Sequence, residues 1–153
     1  MAVFIVLLSL FLGKAMAQHV DRQFVVSMPH DSVGKLFAFL PEPDKASGRA
    51  VVACPGGAYH HLSLQNEGTD WAEFFSQQGI AYFVLQYRMP NGDRILPVSD
   101  AESAMRLIRD SAEVWGVNPY DVGIMGFSAG GHLASTVSTH AEFDARPNFS
   151  ILF

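Results

Sequence analysis

The sequence predicts an α/β fold built on a mostly parallel sheet. Short apolar runs alternate with segments of helical periodicity along a chain of 153 residues, of which 49% are hydrophobic and 16% charged. No repeat or low-complexity tract interrupts the alternation. Strands that alternate with helices pair in parallel through right-handed crossovers, and helices then cover both faces of the sheet. The length suits one such domain.

The first 17 residues have the composition of an export signal. An apolar run over residues 2–12 precedes Ala15-Met16-Ala17, a small-residue pattern at which signal peptides are cleaved. A membrane anchor is the alternative, but Gly13-Lys14 ends the run well short of the about 20 apolar residues that span a bilayer. We expect residues 1–17 to be a signal peptide, residues 18–153 to form the domain, and the protein to be secreted or periplasmic, with no membrane partner after cleavage.

Charge and cysteine content exclude several functions. The formal net charge is −5, and no basic run offers a surface for nucleic acid. Cys54 is the only cysteine, which excludes an intramolecular disulfide and a cysteine-rich metal site. The adjacent His60 and His61 have no third ligand at a useful spacing. We therefore expect no metal and no cofactor, and a small neutral or hydrated molecule as the partner.

The predicted elements follow in order. Strands 23–28 and 35–40 flank the turn-forming residues 30–34 and form an antiparallel hairpin. Continuous apolar runs, typical of strands buried on both faces, then alternate with helices. The later strands are 49–54, 80–87, 121–127 and 149–153, and the helices are 69–78, 99–115 and 130–140.

Two of these helices carry specific expectations. Periodicity in the first places Trp71, Phe74 and Phe75 on the face that packs on the core. In the second, Ser99 and Glu102 have the spacing of a capping box that opens the helix. Asp100 would then lie in the first turn, where the helix dipole favours a carboxylate.

A Gly-x-Ser-x-Gly motif, residues 126–130, follows the third buried strand. Spacing alone is weak support, because the pattern also arises by chance. However, Ser128 stands at the carboxyl end of a predicted parallel strand, where reactive groups of such sheets lie. Small flanking residues permit a sharp strand-to-helix turn, and the following helix directs its first amides towards an oxyanion beside the serine. Ser128 is the predicted nucleophile.

The loop after the first buried strand supplies a second component. Gly56 and Gly57 allow bare backbone N–H groups to face a substrate oxygen, as in the lipase and esterase loop of one histidine and three glycines. Here Pro55 and Ala58 stand at the outer positions, which leaves open which N–H groups donate. Tyr59 flanks this loop and either lines an acyl pocket or packs in the core.

Three stretches together resemble the α/β-hydrolase superfamily, and within it the secreted bacterial esterases similar to acetyl xylan and feruloyl esterases. They are CPGGAYHHLSLQNEG, LQYRMPNGDRILPVSDAESAMRLIR and WGVNPYDVGIMGFSAGGHLAST, and the resemblance covers about residues 49–153. It implies Ser128 as nucleophile and the amides of Ala129 and Gly57 as oxyanion donors, with Gly56 or Ala58 as alternatives to Gly57. Esters of plant polysaccharide, above all of xylan, are the implied substrates.

The resemblance also implies an Asp or Glu and then a histidine, in that order after the serine. Neither follows Ser128 at a suitable place, so we expect the carboxy-terminal part of the domain to be missing and this segment alone to be inactive. His132, one helical turn past Ser128, is predicted to pack or to orient the helix. Glu67, Asp93 and Asp100 are not predicted as the catalytic acid.

Two further functions stay open. A lipase-like or serine peptidase-like hydrolase would use the same motif, and activity on esters or peptides separates them. A non-catalytic binding module, or a decayed hydrolase, would keep the serine loop without a triad. An Asp and a His at the ends of further strands would favour the enzyme.

Overall fold

A computed structural model describes residues 22–28 and 31–153. The predicted signal peptide lies outside the described residues. The described strands are β1 Gln23–Met28, β2 Asp31–Phe39, β3 Ala50–Cys54, β4 Ala81–Gln86, β5 Val122–Gly126 and β6 Ser150–Leu152. The α-helices are α1 Ala72–Gln77, α2 Ile95–Asp110, α3 Ala112–Trp115 and α4 Ala129–His140. Within these described ranges, no helix is long and apolar enough to cross a membrane.

The strands form one sheet in the order β1-β2-β4-β3-β5-β6. The pairs β4–β3, β3–β5 and β5–β6 are parallel, whereas β1–β2 and β2–β4 are antiparallel. The predicted mostly parallel sheet is therefore confirmed. Because β3 and β5 are parallel neighbours, their carboxyl ends place the loop after Cys54 beside the loop after Gly126.

Side chains on alternate residues of the central strands bury against different helices. Val52 and Phe83 belong to the core that includes α2 and α4, whereas Val51 and Tyr82 pack with α1. All four side chains are fully buried. Such burial on both faces requires the continuous apolar runs seen in β3 and β4. Helices on both faces of the sheet are thus confirmed.

The hairpin differs from its prediction at the turn. Strand β2 begins at Asp31 and not at residue 35, because part of the predicted turn pairs as extended backbone. The register shifts between Ser27 and Met28, so β2 carries extra residues in a bulge. A Cβ at Gly34 would lie 3.1 Å from the Cγ of Met28, so the strands approach closely there. Residues 29 and 30 lie outside the described residues.

Helix α2 begins at Ile95, four residues before the predicted start, and the predicted capping box is wrong. Asp93 Oδ1 accepts the Ile95 N–H at 2.9 Å. Pro97 lies in the first turn, where the missing N–H has no partner to lose. Ser99 is inside the helix and its hydroxyl donates to the carbonyl oxygen of Leu96 at 3.0 Å. The prediction starts the helix after Pro97, although a proline is compatible with the first turn.

The early start places Asp100 within α2, so the first-turn prediction is also wrong. Asp100 is 3% exposed and pairs with Arg88, whose Nη2 lies 2.7 Å from Oδ1. The backbone N–H of Arg88 also donates to Asp100 Oδ2 at 2.8 Å. The ion pair therefore fixes the segment after β4 against the helix, and it satisfies a carboxylate that burial would otherwise destabilise.

The predicted core stripe of the first helix is only partly correct. Phe75 is buried and stacks on Tyr82 with ring centroids 4.6 Å apart. Trp71 and Phe74, however, are 36% and 54% exposed. A 3₁₀ turn over Thr69–Trp71 precedes α1, and its tighter winding breaks the 3.6-residue period that the prediction assumed.

We predict that Asp100→Ala lowers the free energy of unfolding by about 3–5 kcal/mol, because it leaves the Arg88 guanidinium without its partly buried counter-charge. Urea unfolding of the purified variant measures the change. Asp110→Ala, at the exposed carboxyl end of the same helix, is the control and should change stability by about 0.5 kcal/mol or less. Equal losses in the two variants would contradict a stabilising role for the pair.

Candidate active site

Ser128 lies in a strained turn between β5 and α4. Its φ of 51° and ψ of −115° fall outside the regions that non-glycine residues favour. Such a conformation costs about 1–3 kcal/mol and persists only where the surroundings enforce it. The Ser128 N–H donates to the carbonyl oxygen of Phe153 at 3.0 Å, and the side chain is exposed. This is the geometry of the predicted elbow.

Two glycines make the elbow possible by close approach. A Cβ at Gly130 would overlap the carbonyl oxygen of Cys54, at the end of β3. A Cβ at Gly126 would overlap the carbonyl oxygen of Gly130. The first turn of α4 therefore sits directly on the ends of β3 and β5, which brings the helix amides to the carboxyl edge of the sheet.

The loop after β3 lies against the elbow, as the sequence predicts. A Cβ at Gly56 would be 3.2 Å from the Cβ of Ser128 and 2.5 Å from the carbonyl oxygen of Phe127. The chain then turns back through Ala58 and Tyr59, whose φ values of 54° and 58° are left-handed. We call residues 55–59 the oxyanion loop.

Free amides distinguish the candidate oxyanion donors. The Gly56 N–H donates to Glu67 Oε2 at 2.7 Å and is therefore occupied. The amides of Gly57, Ala58 and Ala129 have no acceptor among the described residues. Of the two alternatives to Gly57, only Ala58 thus keeps a free N–H. Ala129 is the first residue of α4, where unpaired N–H groups and the positive end of the helix dipole coincide.

Glu67 is a site residue that the sequence analysis did not identify. Its carboxylate bonds the buried amide of Gly56 from 11 residues further along the chain. A Cβ at Gly56 would lie 2.8 Å from Glu67 Oε2, so the carboxylate is packed beside the oxyanion loop. No local pattern predicts this contact, because it depends on how the loop between the two residues folds back.

Tyr59 and His132 connect the oxyanion loop to α4. The Tyr59 hydroxyl and His132 Nδ1 are 2.9 Å apart, and the rings are perpendicular with centroids 6.0 Å apart. Burial, and then the nearby Cys54, raise the pKa of Tyr59, so its hydroxyl stays protonated at neutral pH. His132 thus contacts the loop as well as the helix that it was predicted to orient. No described histidine is hydrogen-bonded to the Ser128 hydroxyl.

A pocket of about 560 Å³ adjoins Tyr59 and His132. The walls come from the oxyanion loop, the segment after β4, and helices α2 and α4. Its lining residues are Tyr59, Pro90, Arg94, Pro97, Val98, His132, Leu133 and Thr136. The volume is within the about 300–1,000 Å³ range of small-ligand sites. The Tyr59 ring packs on the core, which is one of the two predicted alternatives, and it also lines this pocket.

Cys54 is not a second nucleophile. The residue is fully buried at the end of β3, and burial raises the pKa of its thiol to about 12. A protonated, inaccessible thiol does not react. Among residues 22–28 and 31–153, no group of three His, Cys, Asp or Glu side chains is arranged to hold a metal ion.

The parallel sheet, the strained serine and the facing loop define an α/β-hydrolase. An α/β-hydrolase enzyme of solved structure, MGS-M1 from a Medee basin deep-sea metagenome library, matches with a TM-score of 0.77 and 28% identity. The match covers 85% of this chain and 55% of MGS-M1. More narrowly, residues 36–149 match the BD-FAE family, and the chain belongs to that family.

Two further relatives are an acetylxylan esterase and an acetyl ester-xyloside bifunctional hydrolase. The acetylxylan esterase of Xylanibacter ruminicola is 50% identical over 144 residues, which are 94% of this chain and 30% of that protein. The acetyl ester-xyloside bifunctional hydrolase of Caldicellulosiruptor lactoaceticus matches with a TM-score of 0.76 and 26% identity, covering 88% of this chain and 58% of that one. The chain therefore spans less than a third of the esterase's length.

We predict that Glu67→Ala lowers the free energy of unfolding by about 1–3 kcal/mol, because it leaves the buried Gly56 N–H without an acceptor. Amide hydrogen exchange at Gly56 should also become faster. Glu67→Gln retains an acceptor oxygen and should lower the free energy of unfolding by less than Glu67→Ala does.

Glu73→Ala, on the exposed side of α1, is the control for removing a surface carboxylate. If Glu67→Ala matched this control in both stability and Gly56 exchange, the contact would have no role in holding the loop.

Proposed function

We propose that this chain carries the nucleophile and the oxyanion hole of a serine carboxylic-ester hydrolase. The observation that supports the proposal is the strained Ser128 beside a loop whose Gly57 amide is free. This backbone conformation costs free energy, and such conformations cluster at functional sites, whereas a serine with a purely structural role does not require one. The amide of Ala129 faces the same edge of the sheet from the start of α4.

In the proposed reaction the Ser128 oxygen attacks the carbonyl carbon of the ester. The carbonyl oxygen becomes an oxyanion, which accepts hydrogen bonds from the Ala129 amide and from Gly57 or Ala58. Collapse of this intermediate breaks the bond to the alcohol, which leaves with a proton, and an acyl group stays on Ser128. Water then attacks the acyl-enzyme, releases the carboxylic acid and restores the serine. Loss of one oxyanion donor typically slows such reactions about 10²- to 10³-fold.

A general base must take the Ser128 proton in the first step. A base has to come within hydrogen-bond distance of the hydroxyl, and no described histidine does so. His132, the nearest in sequence, holds Tyr59 through Nδ1. We propose that the base and its carboxylate partner are contributed by residues of the complete gene product outside this segment.

The substrate that we propose is an ester on xylan or a related plant polysaccharide. The names of the acetylxylan esterase and of the acetyl ester-xyloside hydrolase support this class. A polysaccharide substrate also suits an exported enzyme, so we propose that residues 1–17 direct the protein out of the cytoplasm and that residues 18–153 belong to its hydrolase domain. Lipase-like or peptidase-like activity and a non-catalytic role are the other outcomes of the tests below.

We predict that a fluorophosphonate probe labels the complete gene product on Ser128. The probe reacts only with an activated serine, and mass spectrometry of the labelled peptide identifies the residue. Ser128→Ala should abolish labelling, whereas Ser138→Ala, whose hydroxyl donates to the Ala134 carbonyl within α4, should keep it. Undiminished labelling of Ser128→Ala would remove Ser128 from the mechanism.

We further predict that the complete gene product releases acetate from acetylated xylo-oligosaccharides and cleaves p-nitrophenyl acetate, but not the matching p-nitroanilide. A nucleophile attacks an ester carbonyl more readily than an amide carbonyl. The oxygen leaving group of an ester also departs more readily than the nitrogen leaving group of an amide. Ser128→Ala should lower kcat by about 10⁴-fold or more. Faster cleavage of the anilide would favour the peptidase-like alternative, and long-chain preference would favour the lipase-like one.

A further inference from the structure

We propose that the pocket lined by Tyr59 and His132 binds a carboxylate of the substrate through Arg94, so that the enzyme prefers esters with an anionic acyl or alcohol part. This inference rests on the proposed function, because it concerns the substrate of the same site. It goes further in assigning a charge to that substrate and a recognition residue to this chain.

Two lining residues of the pocket lie close in sequence to the reactive elements, which suits a substrate subsite. Tyr59 is two residues beyond Gly57 on the oxyanion loop, and His132 is one helical turn beyond Ser128. Both line the pocket, so a group attached to the reacting ester can extend directly into it. Its volume of about 560 Å³ accommodates much more than an acetyl group.

The walls suit a carbon skeleton with one anionic substituent. Pro97, Val98 and Leu133 contribute apolar surface, while polar atoms come from Tyr59 and His132. Arg94 is the only lining residue with a permanent charge, and it stands at the amino terminus of α2. The site thus offers apolar contact on several sides and a cation at one place.

Arg94 differs from the other described arginines in having no partner. Three form ion pairs with carboxylates, namely Arg49, Arg88 and Arg106. The remaining three donate to backbone carbonyl oxygens, namely Arg22, Arg109 and Arg146. No hydrogen bond or ion pair joins the Arg94 side chain to any described residue, so the donor edge of its guanidinium is available. A guanidinium binds a carboxylate through two parallel hydrogen bonds.

The surroundings favour an anion locally although the protein is acidic overall. The positive end of the α2 dipole lies at Arg94. The nearest carboxylate in sequence, Asp93, accepts the Ile95 N–H and does not line the pocket. Asp100 is held by Arg88. With a formal net charge of −5 on the chain, a preference for anions must come from this site and not from the general field.

The test compares matched esters that differ only in charge, using the complete gene product. One pair, mono-p-nitrophenyl glutarate and p-nitrophenyl glutaramate, carries the carboxylate or carboxamide on the acyl side. The other, 4-acetoxybenzoate and 4-acetoxybenzamide, carries it on the alcohol side. We expect one pair to show a higher kcat/KM for the carboxylate, and that pair identifies the side that enters the pocket.

Arg94→Gln should reduce the carboxylate-to-carboxamide ratio of kcat/KM by about threefold to tenfold. Lys45→Gln removes the same charge from an exposed residue near the amino-terminal end of β3 and should leave the ratio unchanged. An unchanged ratio in Arg94→Gln for both pairs would overturn the proposal. So would an equal fall in Lys45→Gln, because the effect would then be general electrostatics.

A binding measurement keeps this proposal separate from the esterase proposal. The Ser128→Ala protein is titrated by NMR with two pairs of compounds that are not esters. The pair 4-acetamidobenzoate and 4-acetamidobenzamide tests the alcohol side, and the pair glutaric acid monoanilide and its carboxamide tests the acyl side. Arg94→Gln in the same background should weaken the binding of the anionic compounds and leave that of the uncharged ones unchanged. If no ester is hydrolysed but this difference is seen, the esterase proposal fails and the anion subsite stands. If the charged and uncharged compounds of both pairs bind equally before and after the change, the subsite fails whatever the activity.

Discussion

The backbone contact between the first turn of α4 and the end of β3 is the constraint on which the rest of the site depends. Gly130 leaves no room for a Cβ against the carbonyl oxygen of Cys54. Because the helix comes this close, Ser128 is forced into a left-handed turn and the Ala129 amide stays without a backbone partner. The same contact sets the distance between the elbow and the oxyanion loop, which continues directly from Cys54. A larger residue at position 130 would move both components together.

A second set of contacts holds the surroundings of the site from the side of β4. Asp100 and Arg88 join the segment after this strand to α2, and the Tyr87 hydroxyl donates to the Pro55 carbonyl oxygen at 2.6 Å. Burial raises the pKa of Tyr87 above its usual range, so this donor keeps its proton. The oxyanion loop is therefore held by contacts from the segments after β4 and β5. The ion pair also fixes α2, which forms one wall of the pocket that contains Arg94.

The sequence predicts the sheet and the elbow well because both are determined by local patterns. Continuous apolar runs specify β3, β4 and β5, and the glycines around Ser128 specify the turn. Prediction from the sequence fails where a tertiary contact determines the structure of a segment. Residues predicted as a turn join β2 because their backbone pairs with β1. Helix α2 starts before its predicted first residue, because a proline is tolerated in the first turn of a helix. The 3₁₀ turn before α1 changes the helical period and leaves Trp71 and Phe74 exposed. Sequence patterns do not predict the roles of Glu67 and Arg94. Glu67 matters through its bond to the Gly56 amide, 11 residues away in the chain. Arg94 stands out because its side chain has no partner among the described residues.

Two backbone bonds of Gly56 close the base of the loop that follows it. Its N–H bonds Glu67 and its carbonyl oxygen accepts the Ser63 N–H at 3.0 Å, so residues 57–62 form a lobe closed at its base. His60 and His61 are exposed at the tip of this lobe. Side-chain substitutions there leave both Gly56 bonds in place, because those bonds join Gly56 to Glu67 and Ser63. The side chains at this tip can therefore change in evolution independently of the backbone bonds that hold Gly56 beside Ser128.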